Sequence, residues 1–155
     1  RQVATNTFAV NKDNFIHINM LIAKDEALSV GNFRDGQVSI SGTEYQPPRA
    51  GEALEKAFLL LLQHYQQTSD IAVRAFGVFL DAARAQFFYD GNKRTGQLMM
   101  NGILLSAGYA PAVIFADAQL EYNQKMLSFY QSGNKDEMIS FLRKQYERVL
   151  EKFQE

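Results

Sequence analysis

The chain has 155 residues, 46% of them hydrophobic, a formal net charge of −1 and no cysteine. That length suits one domain around one core, and the charge balance excludes the global basic field that holds nucleic acid or an anionic membrane. Disulfide stapling and cysteine-based zinc sites are excluded, and two histidines, His17 and His64, are too few for a histidine-rich metal site.

Arg1–Asn11 lacks the apolar core of a secretion signal and reads as an ill-ordered lead-in to a single domain over residues 1–155. The first residue is not methionine, so the chain reads as a fragment of something longer. No apolar run approaches the ~18 residues of a membrane span. The lack of cysteine and of a signal fits a bacterial cytoplasm. Release through a specialised secretion machine stays open, because it would leave little trace in this segment.

A first helix is expected from about Asn11 to Leu28, with Phe15, Ile18, Leu21 and Ile22 on one face. His17 lies near that face and reads as structural. Between Gly31 and Pro48 the pattern changes. Asp35-Gly36 is a tight-hairpin signal, because both residues tolerate the positive φ such turns need. Val38 and Ile40 alternate with polar neighbours, and Pro47-Pro48 closes the extended run. A small exposed β-hairpin on a helical body is the expectation.

From Glu52 the period turns helical: Leu54, Ala57, Phe58, Leu61, Leu62 and Tyr65 make one apolar stripe. Glu52 and Glu55 favour the start of that helix through its dipole. His64, near its end, reads as a surface residue. A further helix from about Asp70 to Gln86 buries Ala72, Phe76, Phe79, Leu80 and Ala83, with Asp70 and Arg74 as an i,i+4 pair outside. Lys93–Ala107 is nearly all apolar, which marks a central buried helix, and Gly108 is its natural stop. Asp117 is placed to cap a helix to about Gln131, and Asn134 with Glu137 resembles a capping box for the last helix. The fold class is all-α: a helical bundle with a central buried helix and one small β-hairpin flap.

The stretch Gln86–Gly96 carries the chemistry: a short loop with an acid, a glycine and an amide opens directly into the apolar helix led by Lys93 and Arg94. The amides of Gly91–Lys93 open a helix whose first turn has unpaired donors and a partial positive charge. Gly91 permits close backbone approach, Asn92 is a candidate N-cap, and Arg94 offers phosphate a bidentate fork. Asp90 is a single carboxylate of the kind Mg²⁺ uses beside phosphates. Taken alone, Asp-Gly-Asn-Lys is more often a surface turn, and Phe76, Phe79 and Phe88 read as core rather than as a base-stacking platform.

The run Gln86-Phe87-Phe88-Tyr89-Asp90-Gly91-Asn92-Lys93-Arg94-Thr95-Gly96-Gln97 resembles the Fic/Doc family motif, His-x-Phe-x-(Asp/Glu)-Gly-Asn-(Gly/Lys)-Arg, often continued by Thr-Gly-Arg. Gly31–Arg34 and Ile40–Pro48 resemble the family's flap, and the likeness extends over about Leu28–Ala116. The resemblance implies a Fic-type fold and transfer of AMP from ATP to a hydroxyl of a target protein; a phosphoryl-transferring branch also exists. It implies that position 86 holds the general base, that Asp90 holds Mg²⁺, and that Gly91, Asn92, Lys93 and Arg94 meet phosphates. Phe88 would anchor the loop, and the flap residues Val38, Ser39, Ile40, Ser41 and Gly42 would clamp an extended target segment.

Three positions depart from that pattern. Gln86 replaces histidine, and an amide cannot take up a proton at neutral pH; losing a general base costs about 10²–10⁴-fold in rate. Gln97 stands where many members have a second arginine. Lys93 stands where AMP-transferring members mostly have glycine. The family's inhibitory Ser/Thr-x-x-x-Glu-Gly/Asn helix is not found, since no glutamate here is followed by glycine or asparagine. The reading is a Fic-type domain with lost or reduced transferase activity that keeps ATP and Mg²⁺ binding. The alternatives are an active nucleotidyl- or phosphoryl-transferase with another base, including an engineered or trapped variant at Gln86, and a non-enzymatic interaction module built on the flap. Neither a membrane nor nucleic acid is expected as a partner.

Overall fold

The structure is a computed structural model and describes residues 7–23 and 31–153. Within them the helices are α1 (Lys12–Ile22), α2 (Glu52–Gln67), α3 (Ile71–Ala85), α4 (Asn92–Ser106), a 3₁₀ turn (Ala116–Ala118), α5 (Gln119–Ser132) and α6 (Asp136–Lys152). The expected continuation of α1 to Leu28 lies outside the described residues. None of these helices is long and apolar enough to cross a membrane.

Helices α3 and α4 form the centre and make the most extensive pairing in the fold. Helix α2 packs on α3, α1 on α4, and α6 on α3 with α5 beside it. The α2 stripe buries Leu54, Phe58 and Leu61, and α3 buries Phe76, Phe79 and Leu80 completely. The close approach of α3 and α4 depends on Gly96, where a Cβ would sit 3.1 Å from the Phe79 ring and 3.2 Å from its carbonyl oxygen. Helix α4 is less submerged than its composition implies: Leu98 and Leu105 stand 49% and 43% exposed.

Helix α1 starts as expected, with Asn11 accepting from the Asn14 amide. Its buried face is different. Phe15 and Asn19 are fully buried while Leu21 is 69% exposed, and His17 faces outward. The loop before α4 needs a donor at that place, and Asn19 supplies it. Asp70 caps α3 through the Val73 amide and lies 3.6 Å from Arg143 of α6, so the expected Asp70–Arg74 pair does not form. Asp117 sits inside the 3₁₀ turn and pairs bidentately with Arg148 instead of capping α5. Asn134 accepts from the Asp136 amide, but Lys135 is the cap residue of α6, so the box is incomplete.

The β-hairpin is the main correction. Among the described residues there is no strand. Asp35-Gly36 is not a hairpin turn; the Tyr89 hydroxyl donates to Asp35 there, and a Cβ on Gly36 would lie 2.6 Å from that hydroxyl. The tight turn falls at Ser41-Gly42, where Gly42 has φ +85°. The arms on either side are bridged by a side chain, Gln37 Nε2 donating to the Pro47 carbonyl at 3.1 Å. Pro47 and Pro48 have no N–H to offer a ladder, so the flap is an extended loop held by side chains.

Two glycines provide a test of this packing. Gly96→Ala meets backbone and should lose about 1–3 kcal/mol. Gly77→Ala, whose Cβ would meet nothing within 4 Å, should gain about 0.5–1 kcal/mol from helix propensity. Urea denaturation of the two variants measures both.

Candidate functional site

The site is built on a phenylalanine cluster beneath the loop between α3 and α4. Phe15 of α1, Phe33 of the flap base, Phe58 of α2 and Phe87 and Phe88 of the loop meet edge-on or stacked. The Phe33 and Phe87 rings lie parallel at 4.8 Å, and Phe33 meets Phe88 edge-on at 5.5 Å. Phe58 touches Phe15 and Phe87 at 5.5 and 5.4 Å. Aromatic contacts of this kind add about 0.5–1.5 kcal/mol each beyond area burial. Phe88 is therefore a buried anchor, 2% exposed.

Over this floor the loop is fastened by two buried polar side chains that the sequence reading overlooked. Arg34, 2% exposed, donates from Nε to the Gln86 carbonyl at 2.6 Å, from Nη1 to Gly36 at 2.8 Å, and from Nη2 to Pro48 at 2.5 Å. A longer contact reaches Ala85 at 3.4 Å, and the Arg34 amide donates to Phe87. One guanidinium thus caps the end of α3 and joins both arms of the flap to it. Burial pulls its pKa down from the usual arginine value, with the nearby Tyr89 and Tyr45 opposing. Asn19 donates from Nδ2 to the Asp90 carbonyl at 2.8 Å and to Thr95 Oγ1 at 3.2 Å. Arg34 lies within the Gly31–Arg34 likeness to the flap, which says nothing of its hydrogen bonds, and Asn19 has no distinctive local spacing.

Gln86 has φ +52°, the single non-glycine positive φ among the described residues. Such a conformation costs about 1–2 kcal/mol. It is held by Arg34 on the carbonyl and by both ends of the side-chain amide: Nε2 donates to Ala83 at 2.6 Å, and Oε1 accepts from Asn92 Nδ2 at 3.0 Å. Asn92 is not the N-cap; Gly91 is, with no side-chain cap bond. Asn92, 7% exposed, turns back into the loop, accepting from the Phe88 amide at 2.9 Å and donating to the Phe88 carbonyl at 2.8 Å. The space over Gly91 is filled on one side by α1, since a Cβ there would lie 3.2 Å from Asn19 and 3.3 Å from Ile22.

The result is an open cavity of about 180 Å³ that gathers Gln86, Asp90, Gly91, Asn92, Lys93 and Arg94, with Tyr89 at its wall. Because α4 has no side-chain cap, its first amides keep the donors that an anion can use. Asp90 is about half exposed; one oxygen accepts from the Gly91 amide at 2.7 Å and the other stands 3.6 Å from Arg94. Lys93 and Arg94 also border a second cavity of about 390 Å³, walled by Phe79, Met100, Ile114 and Tyr122 and furnished with Gln97 and Gln119. Burial pushes the Tyr122 hydroxyl up to about 12, so it stays protonated, 3.4 Å from Gln97 Nε2.

The flap residues Val38, Ser39, Ile40, Ser41 and Gly42 do not line the first cavity. Their tip leans on α5: a Cβ on Gly42 would lie 3.1 Å from Leu127, and Thr43 donates to Gln131 at 3.0 Å. Arg84 stacks over the Tyr45 ring at 4.0 Å and donates to the Tyr130 carbonyl.

The Fic/DOC family model matches residues 9–104. The chain is similar to the protein adenylyltransferase Fic of Aedes aegypti, with 28% identity over 153 residues covering 89% of this chain and 28% of that protein. It is similar to the protein of the same name from Culex quinquefasciatus, 30% identical over 148 residues, with the same coverage. The chain therefore spans under a third of the length of these relatives. They are insect proteins and give no support to a bacterial origin. Among solved structures, Fic-1 (residues 134–508) from C. elegans superposes with a TM-score of 0.80 at 17% identity, covering 97% of this chain and 45% of that one. A Fic domain containing signaling protein from Bacteroides thetaiotaomicron gives 0.70 at 17% identity, covering 94% and 61%.

Arg34→Gln removes the fork that joins three segments and should cost about 3 kcal/mol, read by urea denaturation. Asn92→Ala should cost about 1–3 kcal/mol and speed hydrogen exchange at the Phe88 amide, which loses its acceptor.

Proposed function

The chain belongs to the Fic/DOC family, and on that footing we propose that it binds a nucleoside triphosphate at the Gln86–Arg94 cavity and that transfer of AMP to a protein hydroxyl is strongly reduced. The observation that carries this reading is the pairing of an open, uncapped helix start beside Arg94 with a Gln86 amide tied down at both ends. The similarity to proteins named adenylyltransferases supports the choice of ATP and of a target protein as partner.

In this reading the phosphates lie over the first amides of α4, and Arg94, 3.6 Å from Asp90, turns its fork to phosphate oxygens. Lys93 adds a second cation at the same mouth. The nucleoside enters the adjoining cavity, where Phe79, Met100 and Ile114 provide apolar walls and the Gln97 and Gln119 amides provide hydrogen bonds. Asp90, half exposed and with one oxygen facing the cavity's cation, suits a Mg²⁺ that draws its other ligands from phosphates; bound there, the ion would neutralise phosphate charge. The flap Val38–Gly42 offers an extended edge to a target segment by β-augmentation.

Transfer requires a bond from the target oxygen to the α-phosphorus, loss of pyrophosphate, and departure of the hydroxyl proton. The first two need positioning and charge, which the cavity supplies. The third needs a base. Gln86 has none to offer, and its side-chain oxygen Oε1 already accepts from Asn92.

Calorimetry with ATP and Mg²⁺ is expected to show binding that weakens about tenfold or more in Arg94→Ala, in line with a charged hydrogen bond worth about 1.5–3 kcal/mol. Labelling of a protein hydroxyl from radiolabelled ATP should be feeble in the native chain and rise by about 10²–10⁴-fold in Gln86→His. Absence of nucleotide binding would favour the interaction-module reading. Robust labelling by the unmodified chain would overturn the loss of activity.

A further inference from the structure

A third cavity, sharing no lining residue with the two around the loop, lies where the end of α2, the middle of α3 and the start of α6 meet. Its volume is about 240 Å³. Two cationic side chains, Arg74 and Lys135, and the His64 imidazole line it. Lys135 stands 2.5 Å from Asp81 Oδ1, and His64 Nδ1 lies 3.0 Å from Asp81 Oδ2. The Asp81 carboxylate is only 18% exposed, its charge paired with Lys135 and its second oxygen against the His64 ring. Arg74 donates from Nε to the Thr68 carbonyl at 2.6 Å and lies over the Tyr65 ring at 5.1 Å. Those contacts fix the guanidinium plane and use none of its Nη donors.

The floor of this cavity is Gly77, in the interior of α3, where a Cβ would meet nothing within 4 Å. Glycine is a poor helix former, and no neighbour crowds this one, so its effect is to keep the space open. Val73, Val78 and Ile139 add apolar wall. A fixed guanidinium fork, a lysine and an imidazole around a small, partly apolar hollow match one ligand chemistry.

We propose that this cavity is a binding site for a small organic oxyanion, a carboxylate or a phosphate ester. The anionic group sits on Arg74 Nη with Lys135 and His64 alongside, and the organic part rests over Gly77 against Val78 and Ile139. Arg suits planar and tetrahedral oxyanions because its paired donors match their oxygen spacing. The site is independent of the nucleotide reading.

The test is NMR titration of the full chain with sodium phosphate and, separately, sodium benzoate at constant ionic strength, with sodium chloride as control. The His64 ring, the Arg74 Nε–H and the Gly77 amide are the reporters, and His17, exposed on α1, is the reference. Saturable shifts at the reporters with either probe, and none at His17, are expected. Arg74→Gln should weaken them at least tenfold. Gly77→Leu, which fills the hollow and favours the helix, should remove benzoate binding even if the Arg74 variant fails to fold. Response to phosphate alone assigns a phosphate ester, and response to benzoate alone a carboxylate. Shifts that rise linearly with salt, binding unchanged in Arg74→Gln, or benzoate binding unchanged in Gly77→Leu, overturn the proposal.

Discussion

The fold around the cavity depends on one buried guanidinium. Arg34 has no carboxylate partner in its hydrogen-bond set; its donors go to carbonyl oxygens of Gln86, Gly36, Pro48 and Ala85. A charge 2% exposed is tolerable only when its donors are met. The end of α3 supplies oxygens left over by the helix and the negative end of its dipole. The flap supplies the others. That arrangement holds residue 86 in a left-handed conformation and keeps the flap against α3 without a strand ladder. Any larger movement of the flap has to give up charged hydrogen bonds.

The loop itself is made rigid before any ligand arrives. Phe87 and Phe88 lie in the aromatic floor, Asn92 closes a ring of hydrogen bonds back to Phe88 and Gln86, and Asn19 reaches from α1 to the Asp90 carbonyl. The start of α4, which has no side-chain cap bond, faces the mouth. Preorganisation of this kind lowers the entropic cost of binding and aims fixed dipoles at a developing charge. The same rigidity works against Gln86: a side chain tied by Ala83 and Asn92 has little freedom to orient a hydroxyl or water.

Much of the helical architecture was legible because its signals are periodic and local. The α2 stripe, the start of α3 near Asp70 and the short loop before α4 follow from spacing and from residues within a few positions of each other. The flap was not legible in the same way. Asp35-Gly36 carries a hairpin signal, but Gly36 is used to admit the Tyr89 hydroxyl, and the turn moves to Gly42. Helix α1 shows the same limit: an apolar pattern pointed to Leu21, while the buried position went to Asn19 because a carbonyl on another segment needed a donor.

From the sequence alone come the all-helical class, the family likeness of the Gln86–Gly96 loop and the amide side chain at residue 86. These rest on residue chemistry and short-range order, which a linear chain displays. The commitments of Arg34, Asn19 and Asn92, the meeting of His64 of α2, Asp81 of α3 and the α6 cap residue Lys135, and the cavity kept open over Gly77 were decided by tertiary structure. Each joins groups far apart in the chain, and a buried donor takes whichever acceptor packing brings within reach.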